Sequence, residues 1–137
     1  MIMIDNALKA REEQGKPIRV GMIGAGFMGQ GLTNQIMNSV PGMRMVAVQN
    51  RHIEKALHVY RYSGAEDIRE ATTQVQVEDG IRAGKPVVTQ DPMLIARSEN
   101  VDVLVDVTGS VEFGAHVVLE AFKHKKDVIL MNAELDA

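Results

Sequence analysis

The 137-residue sequence contains no cysteine, which excludes disulfides, thiolate metal sites and a cysteine nucleophile. It also has no excess of basic residues, since 15 lysines and arginines stand against 18 acidic residues for a formal net charge of −3. That balance gives no electrostatic footprint for nucleic acid, and we expect no such partner. No apolar run approaches the roughly 18 residues of a membrane-spanning helix. The short apolar start at residues 1–4 lacks the basic segment of a signal peptide. We therefore expect a cytoplasmic protein without a membrane partner.

What is present is typical of a globular domain. The composition is 45% hydrophobic and 24% charged, which is ordinary for folded proteins and unlike disordered ones. The length is that of one domain and suffices for a hydrophobic core. We predict a single domain over residues 1–137.

Apolar runs and helical periodicity alternate along the chain. A short helix is predicted at residues 5–14, with Asp5 as its N-cap and Gly15 at its end. The run at 101–107 is almost continuous valine and leucine, as in a parallel strand buried on both faces. The alternation predicts an α/β fold with a parallel sheet. The predicted strands are 18–23, 43–48, 67–72, 86–89, 101–107 and 127–131, and the further predicted helices are 28–40, 53–60, 73–83, 92–98 and 111–122.

Three glycines follow the first predicted strand in the pattern G-x-G-x-x-G. Gly24 allows a tight turn, Gly26 lets a pyrophosphate approach the backbone, and Gly29 lets the next helix pack against the strand. Phe27 and Met28, at the start of the next predicted helix, offer N–H groups that attract phosphate. A strand precedes the motif, a helix follows it, and a second strand comes about 20 residues later. The motif thus predicts dinucleotide binding in a Rossmann-type doubly wound sheet with three layers, α/β/α; the alternative is a tight turn without a ligand.

The end of the second predicted strand bears on the choice of cofactor. NAD-binding domains tend to place an acidic residue there to bind the ribose hydroxyls, whereas this chain has Asn50 and Arg51. A guanidinium can stack on adenine and pair with a 2′-phosphate. We therefore predict NADP as the preferred cofactor, with NAD possible if Asn50 binds the ribose. The alternative is that Asn50 caps the next helix and Arg51 is solvated.

Polar residues also follow the last two predicted strands, at the edge where open α/β sheets bind ligands. Thr108 can hydrogen-bond a ribose or a carboxamide, and Gly109 permits close approach of the backbone. Asn132 follows the last strand and is placed to face nicotinamide or substrate. A plain helix cap and turn is the alternative for Thr108 and Gly109. Asp106 either lines this crevice or is a satisfied edge carboxylate. The four histidines show no metal-ligand spacing, so we predict no metal site, and no catalytic residue is identified.

Several stretches together resemble a known family. Residues 20–31, 50–51, 106–109 and 127–132 look like the nucleotide-binding domain of homoserine dehydrogenase-like oxidoreductases. Residues 111–118 and 131–136 are most similar to a branch that carries a C-terminal SAF domain and includes proteins called deoxyxylulose-phosphate reductoisomerase-like. The resemblance covers nearly the whole chain.

This resemblance implies roles for individual residues. Gly24, Gly26 and Gly29 would bind the pyrophosphate, the Asn50–Arg51 pair the adenosine ribose or its phosphate, and Thr108 with Gly109 would approach the nicotinamide. Typical family members have a functional lysine directly after the asparagine that Asn132 matches, but this chain has Ala133. The resemblance therefore does not imply homoserine as the substrate.

The resemblance also implies that the substrate and the catalytic residues belong to a further, C-terminal domain. We expect a piece of a longer oxidoreductase that transfers hydride to or from a small carbonyl or alcohol, with the piece alone not catalytically competent. One alternative is a reductoisomerase-like activity in isoprenoid precursor synthesis. Another is a stand-alone nucleotide-binding regulatory module. Association into homo-oligomers is a further possibility.

Overall fold

The computed structural model describes the backbone of residues 2–108 and 111–131, and the side chains of 6–108 and 115–131. Gly109 and Asn132, two of the predicted cofactor residues, lie outside this part of the chain. Within it, helices and strands alternate in the order α1 (Ile2–Glu13), β1 (Ile18–Ile23), α2 (Phe27–Ser39), β2 (Met43–Gln49), α3 (Ile53–Tyr62), β3 (Arg69–Glu70), α4 (Gln74–Arg82), β4 (Val87–Thr89), α5 (Pro92–Ala96), β5 (Val103–Asp106), α6 (Val111–Lys123) and β6 (Asp127–Leu130).

The strands form one six-stranded sheet in the order β3-β4-β2-β1-β5-β6, and all the neighbouring pairs are parallel. The first half of the chain builds outward from β1 on one side, through β2 to β4 and β3. The chain then returns to place β5 and β6 on the other side of β1. The order therefore reverses between β1 and β5, and ligands of such sheets bind beyond the carboxyl ends of the strands at this point.

The sheet is covered on both faces. On one face, Ile36 of α2 and Tyr60 of α3 pack against strand residues such as Val48. On the other face, Val77 of α4 and Val117 of α6 belong to a second core cluster, together with residues of α5. Helices on both faces of a parallel sheet make the three-layer Rossmann-type fold that the sequence predicts, and this prediction is confirmed.

Two local predictions are wrong. Helix α1 begins at Ile2, so Asp5 lies inside the helix and is not its N-cap. The preceding residues contain no helix breaker, and nothing in the sequence stops the helix before Asp5. Strand β3 spans only Arg69–Glu70 instead of 67–72, because Asp67 has a positive φ of 54° and the strand pairs only with β4.

The other elements occur where they are predicted, with ends that differ by a few residues. Strand β1 has the predicted bounds. Strand β5 is shorter than the predicted 101–107, and α5 ends at Ala96 rather than at Ser98. The amide of Val107 nevertheless donates to the carbonyl of Ile23 over 2.9 Å, so the β1–β5 pairing continues just past the end of β5.

Candidate nucleotide-binding site

The turn after β1 depends on Gly24. Its φ is +97°, a left-handed conformation that residues with a side chain rarely adopt. A Cβ on this residue would lie 3.2 Å from side-chain carbons of both Val107 and Thr108. Its N–H donates to the carbonyl of Gln49 over 2.8 Å. The turn therefore brings the loops after β1, β2 and β5 together at the carboxyl edge.

The other two glycines of the motif differ in what surrounds them. A Cβ on Gly29 would lie 2.9 Å from the terminal methyl of Met22 and 3.3 Å from a methyl of Val107, so α2 packs closely on the sheet here and a larger residue would displace the end of the Met22 side chain. Gly26 has an ordinary φ of −80°, and apart from Gly26 itself and its two neighbours in the chain, no described residue has an atom within 4 Å of where its Cβ would be. Packing does not require glycine at position 26, whereas close approach of a ligand would.

The N-terminus of α2 has no side-chain cap. Gly26 occupies the N-cap position, and the first turn contains no acidic residue. The N-terminal N–H groups of a helix lack partners within the helix, and here Phe27 and Met28 lie in this first turn. The side chain of Phe27 is 92% exposed and that of Met28 is 41% exposed. An anion can therefore reach the start of α2 along the open side of the turn.

Helices α4 and α5 differ from α2 because their own side chains cap them. Thr73 accepts a hydrogen bond from the N–H of Gln76 over 3.2 Å. Asp91 accepts one from the N–H of Met93 over 3.0 Å. Each cap satisfies a donor that would otherwise be available to a ligand.

Asn50 ties the glycine turn to the loop after β2. Its Oδ1 accepts a hydrogen bond from the N–H of Ala25 over 3.2 Å, and its Nδ2 donates to the carbonyl of His52 over 3.0 Å. The N-cap residue of α3 is His52, which makes no side-chain cap bond. The alternative in which Asn50 caps α3 is therefore wrong. Its amide instead holds two loops of the site at a fixed spacing.

Two basic residues line a cleft at this edge. Arg51 and Lys55 are both exposed, and neither forms an ion pair with any residue in the described part of the chain. Lys55 was not identified from the sequence, although it follows Arg51 by about one helical turn. The cleft has a volume of about 470 Å³ and is lined by Gly24, Ala25, Gly26, Gln49, Asn50, Arg51, His52, Lys55, Val107 and Thr108.

Asp106 shapes the turn after β5. It is 5% exposed, and its Oδ1 accepts hydrogen bonds from the N–H and the hydroxyl of Thr108 over 2.9 and 2.7 Å. Of the two alternatives for Asp106, the structure supports the satisfied carboxylate. Asp106 orients Thr108 at the mouth of the cleft, beside Gly24.

Two glutamines that the sequence analysis did not single out join the site to β4. Gln49 is 3% exposed, and its Nε2 donates to the carbonyl of Gln90 over 2.9 Å. Gln90 in turn donates from Nε2 to the carbonyl of Arg51 over 2.9 Å. Among the described residues, Oε1 of Gln49 is the one buried side-chain nitrogen or oxygen atom without a hydrogen-bond partner, and it can accept a hydrogen bond from water or from a ligand. The only signal in the sequence is their polar character at predicted strand ends.

A larger cavity, of about 710 Å³, lies at the opposite, amino edge of the sheet. Its basic side chains are already neutralised by carboxylates, so it offers no unpaired charge to a ligand among the residues that the structure describes. The pairs are Arg19 with Asp102, Arg44 with Glu12, and Lys85 with Asp67.

Two kinds of site are not found in the described residues. No group of three or more histidine, aspartate or glutamate side chains is arranged to hold a metal ion. None of the described helices is long and apolar enough to cross a membrane. The cytoplasmic localisation stays a prediction.

Comparison with solved structures shows the same fold in three oxidoreductases. The scyllo-inositol dehydrogenase of Lactobacillus casei, with bound NAD(H) and scyllo-inositol, superposes with a TM-score of 0.62 at 15% identity, over 84% of this chain and 28% of that one. A mutant 3-ketoreductase from Actinomadura kijaniata, in complex with TDP-benzene and NADP, superposes with a TM-score of 0.57 at 21% identity, over 83% of this chain and 29% of that one. A homoserine dehydrogenase from Thiobacillus denitrificans superposes with a TM-score of 0.60 at 24% identity, over 85% of this chain and 24% of that one.

These similarities establish the fold, and the chain spans about a quarter of the length of these proteins. No curated protein matches the sequence. Residues 24–137, from the first motif glycine onward, match the family described as homoserine dehydrogenase, NAD binding domain. The match covers most of the chain, and the protein therefore belongs to the family of homoserine dehydrogenase NAD-binding domains.

Proposed function

We propose that this chain is the NADP(H)-binding part of an oxidoreductase. The observation that carries the proposal is the start of α2, where an uncapped helix N-terminus adjoins a glycine that packing does not require, at the reversal of strand order. A bound nicotinamide would supply the hydride acceptor or donor. The substrate, a small carbonyl or alcohol, would be held by a separate domain.

Different residues of the carboxyl edge would bind different parts of the cofactor. The N–H groups of the first turn of α2 hold the pyrophosphate, because they lack partners within the helix and lie at its positive end. Gly26 keeps the approach clear. Asp106 holds Thr108 beside this turn, on the side where the nicotinamide half of the cofactor would extend.

Arg51 and Lys55 support a preference for NADP over NAD. Asn50 occupies the position at which an acidic residue would bind the 2′-hydroxyl and repel a 2′-phosphate. The side-chain amide of Asn50 is already bonded to Ala25 and His52. The groups of this part of the cleft that remain for the 2′-position of the ribose are therefore the side chains of Arg51 and Lys55. A guanidinium and an ammonium that line the same cleft favour a dianionic phosphate over a neutral hydroxyl.

Titration of the chain with NADPH and NADH tests this proposal. We expect NADPH to bind more tightly and to raise the melting temperature more than NADH does. Arg51→Ala should weaken NADPH binding by about tenfold, or ~1.4 kcal/mol, and should leave NADH binding nearly unchanged. Arg61→Ala, which removes another exposed arginine from the end of α3, is the matched control. An unchanged NADPH preference in Arg51→Ala would remove Arg51 from the site.

The identity of the substrate has to be tested on more of the protein than this chain. Ala133 in place of the family's lysine argues against homoserine, and the resemblance to the SAF-domain branch remains a prediction. So does assembly into homo-oligomers. A gene that continues past codon 137 into a second domain would support the oxidoreductase, whereas a stop codon there would favour a stand-alone nucleotide-binding module. Calorimetry with coenzyme A alongside NADPH tests whether the glycine turn takes a different nucleotide.

A further inference from the structure

We propose that Gln90 is a positioning residue that determines cofactor specificity. Its side-chain amide holds the main chain of Arg51 in the place from which the guanidinium reaches the 2′-phosphate of NADP. This inference rests on the proposed function, because it explains how the chain would achieve the preference for NADP.

The segment after β2 is anchored on both sides. Toward β1, the carbonyl of Gln49 accepts the N–H of Gly24 over 2.8 Å. Toward β4, the N–H of Asn50 donates to the carbonyl of Thr89 over 3.2 Å, and Nε2 of Gln49 donates to the carbonyl of Gln90 over 2.9 Å. The strand end that leads to Arg51 is therefore held before Arg51 is reached.

Arg51 itself is held through its main chain. Its carbonyl accepts a hydrogen bond from Nε2 of Gln90 over 2.9 Å. No carboxylate within residues 6–108 and 115–131 pairs with its guanidinium to orient it. The place of the guanidinium thus depends on where the main chain of Arg51 is fixed, and Gln90 provides that contact.

Gln90 can serve as a firm support because its own position is set by its neighbours. Thr89 before it is buried at the end of β4, and its hydroxyl accepts the N–H of Asp91 over 3.2 Å. Asp91 after it caps α5, with Pro92 at the first helical position. The side chain of Gln90 is exposed, so replacing it leaves the core unchanged.

The test is Gln90→Met, which keeps the length of the side chain and removes the donor. We expect the Kd for NADPH to rise about threefold to tenfold, the range for loss of one hydrogen bond, while the Kd for NADH changes less than twofold. Gln74→Met is the matched control, because Nε2 of Gln74 donates to the carbonyl of Leu94 over 2.8 Å away from the cleft. That control should leave the ratio of the two dissociation constants unchanged.

A double variant separates positioning from general weakening. If Gln90 acts through Arg51, Gln90→Met adds no further loss of NADPH binding in the Arg51→Ala background. A loss of the same size in both backgrounds, or an equal loss for NADPH and NADH, would overturn the role of Gln90. A wild-type chain that prefers NADH overturns the proposed NADP preference and this inference together. A wild-type preference for NADPH that Gln90→Met leaves intact overturns this inference alone.

Discussion

At the amino edge of the sheet, Arg19 donates to both carboxylate oxygens of Asp102 over 3.0 and 3.1 Å, whereas at the carboxyl edge Arg51 has no carboxylate partner among the described residues. The first arginine lies in β1 and joins it to the residue just before β5. The second lies just after β2, on the wall of a cleft. An arginine thus links two strands at the amino edge, whereas at the carboxyl edge another arginine is left available to a ligand.

The contrast extends beyond the arginines. At the amino edge, Glu78 accepts hydrogen bonds from the hydroxyl of Ser98 and from Nδ2 of Asn100. Lys126 is buried there, its ammonium donates to the carbonyl of Ser98, and burial lowers the pKa of Lys126. The charged groups at this edge form hydrogen bonds between loops, because a buried polar group needs a hydrogen-bond partner.

This difference shows why cavity size alone does not locate the site. The cavity at the amino edge is larger, but its cations are paired with carboxylates. The cleft at the carboxyl edge is smaller, yet it combines the uncapped start of α2 with two cations that have no ion-pair partner in the described part of the chain. Binding needs groups whose partners the protein does not supply.

The largest expected effect is on the glycine turn. Gly26→Val should weaken binding of both NADPH and NADH by about 100-fold, or ~2.7 kcal/mol, because the side chain fills the approach to the start of α2. The melting temperature without cofactor should change little, since no described atom lies near the added Cβ. Calorimetric titration measures the loss of binding.

Gly31→Val is the matched control for this variant. Gly31 also has no described neighbour within 4 Å of its Cβ position, but it lies farther along α2. Binding should be retained in Gly31→Val. Wild-type affinity in Gly26→Val would show that the pyrophosphate does not lie over Gly26.

A smaller effect, on stability alone, is expected at the amino edge. Asp102→Asn should lower the free energy of unfolding at pH 7 by about 1–2 kcal/mol, since it weakens a charge-assisted pair that is partly exposed. Cofactor binding should not change. Urea unfolding gives the free energy, and a fall in NADPH affinity would contradict the division between the two edges.

The effect of Asp102→Asn on stability should depend on pH. Burial raises the pKa of Asp102, but hydrogen bonds from Arg19 outweigh it and place the pKa below the ordinary value of 3.8. A carboxyl with a lowered pKa stabilises the fold above its unfolded pKa and loses that contribution as the pH falls through its folded pKa. The difference between wild type and Asp102→Asn should therefore shrink as the pH falls below 3.8. A difference that is constant with pH would show that the carboxylate charge is not what matters.

The smallest expected effect comes from a capped helix at the carboxyl edge. Asp91→Ala removes the N-cap of α5 and should cost about 1 kcal/mol of stability. It leaves the first turn of α2 unaltered, and the N–H of residue 91 can still donate to the hydroxyl of Thr89 and hold Gln90 in place. NADPH affinity should therefore stay within twofold. Thermal unfolding and a binding titration on the same sample check both statements. Weaker binding with full stability would place Asp91 in the site instead.

The parts of the fold that the sequence predicts best are those set by local patterns. Strand β1 has the predicted bounds because an apolar run, interrupted only by Arg19 and Gly21, ends at a glycine turn. The predicted strand at 67–72 shrinks to Arg69–Glu70, since an edge strand is defined by its single neighbour β4 and by the turn at Asp67. Asp5 has the chemistry of a cap, but the helix begins before it.

Patterns along the chain suffice to predict the parallel α/β sheet, the glycine turn and the basic residue after β2, because each of these depends on sequence neighbours. The hydrogen bonds from the glycine turn to Asn50 and from Gln90 to Arg51, 39 residues away, become visible only in the folded chain. Such a bond between distant residues depends on their distance in space, and for Gln90 and Arg51 the pairing of β4 with β2 sets that distance.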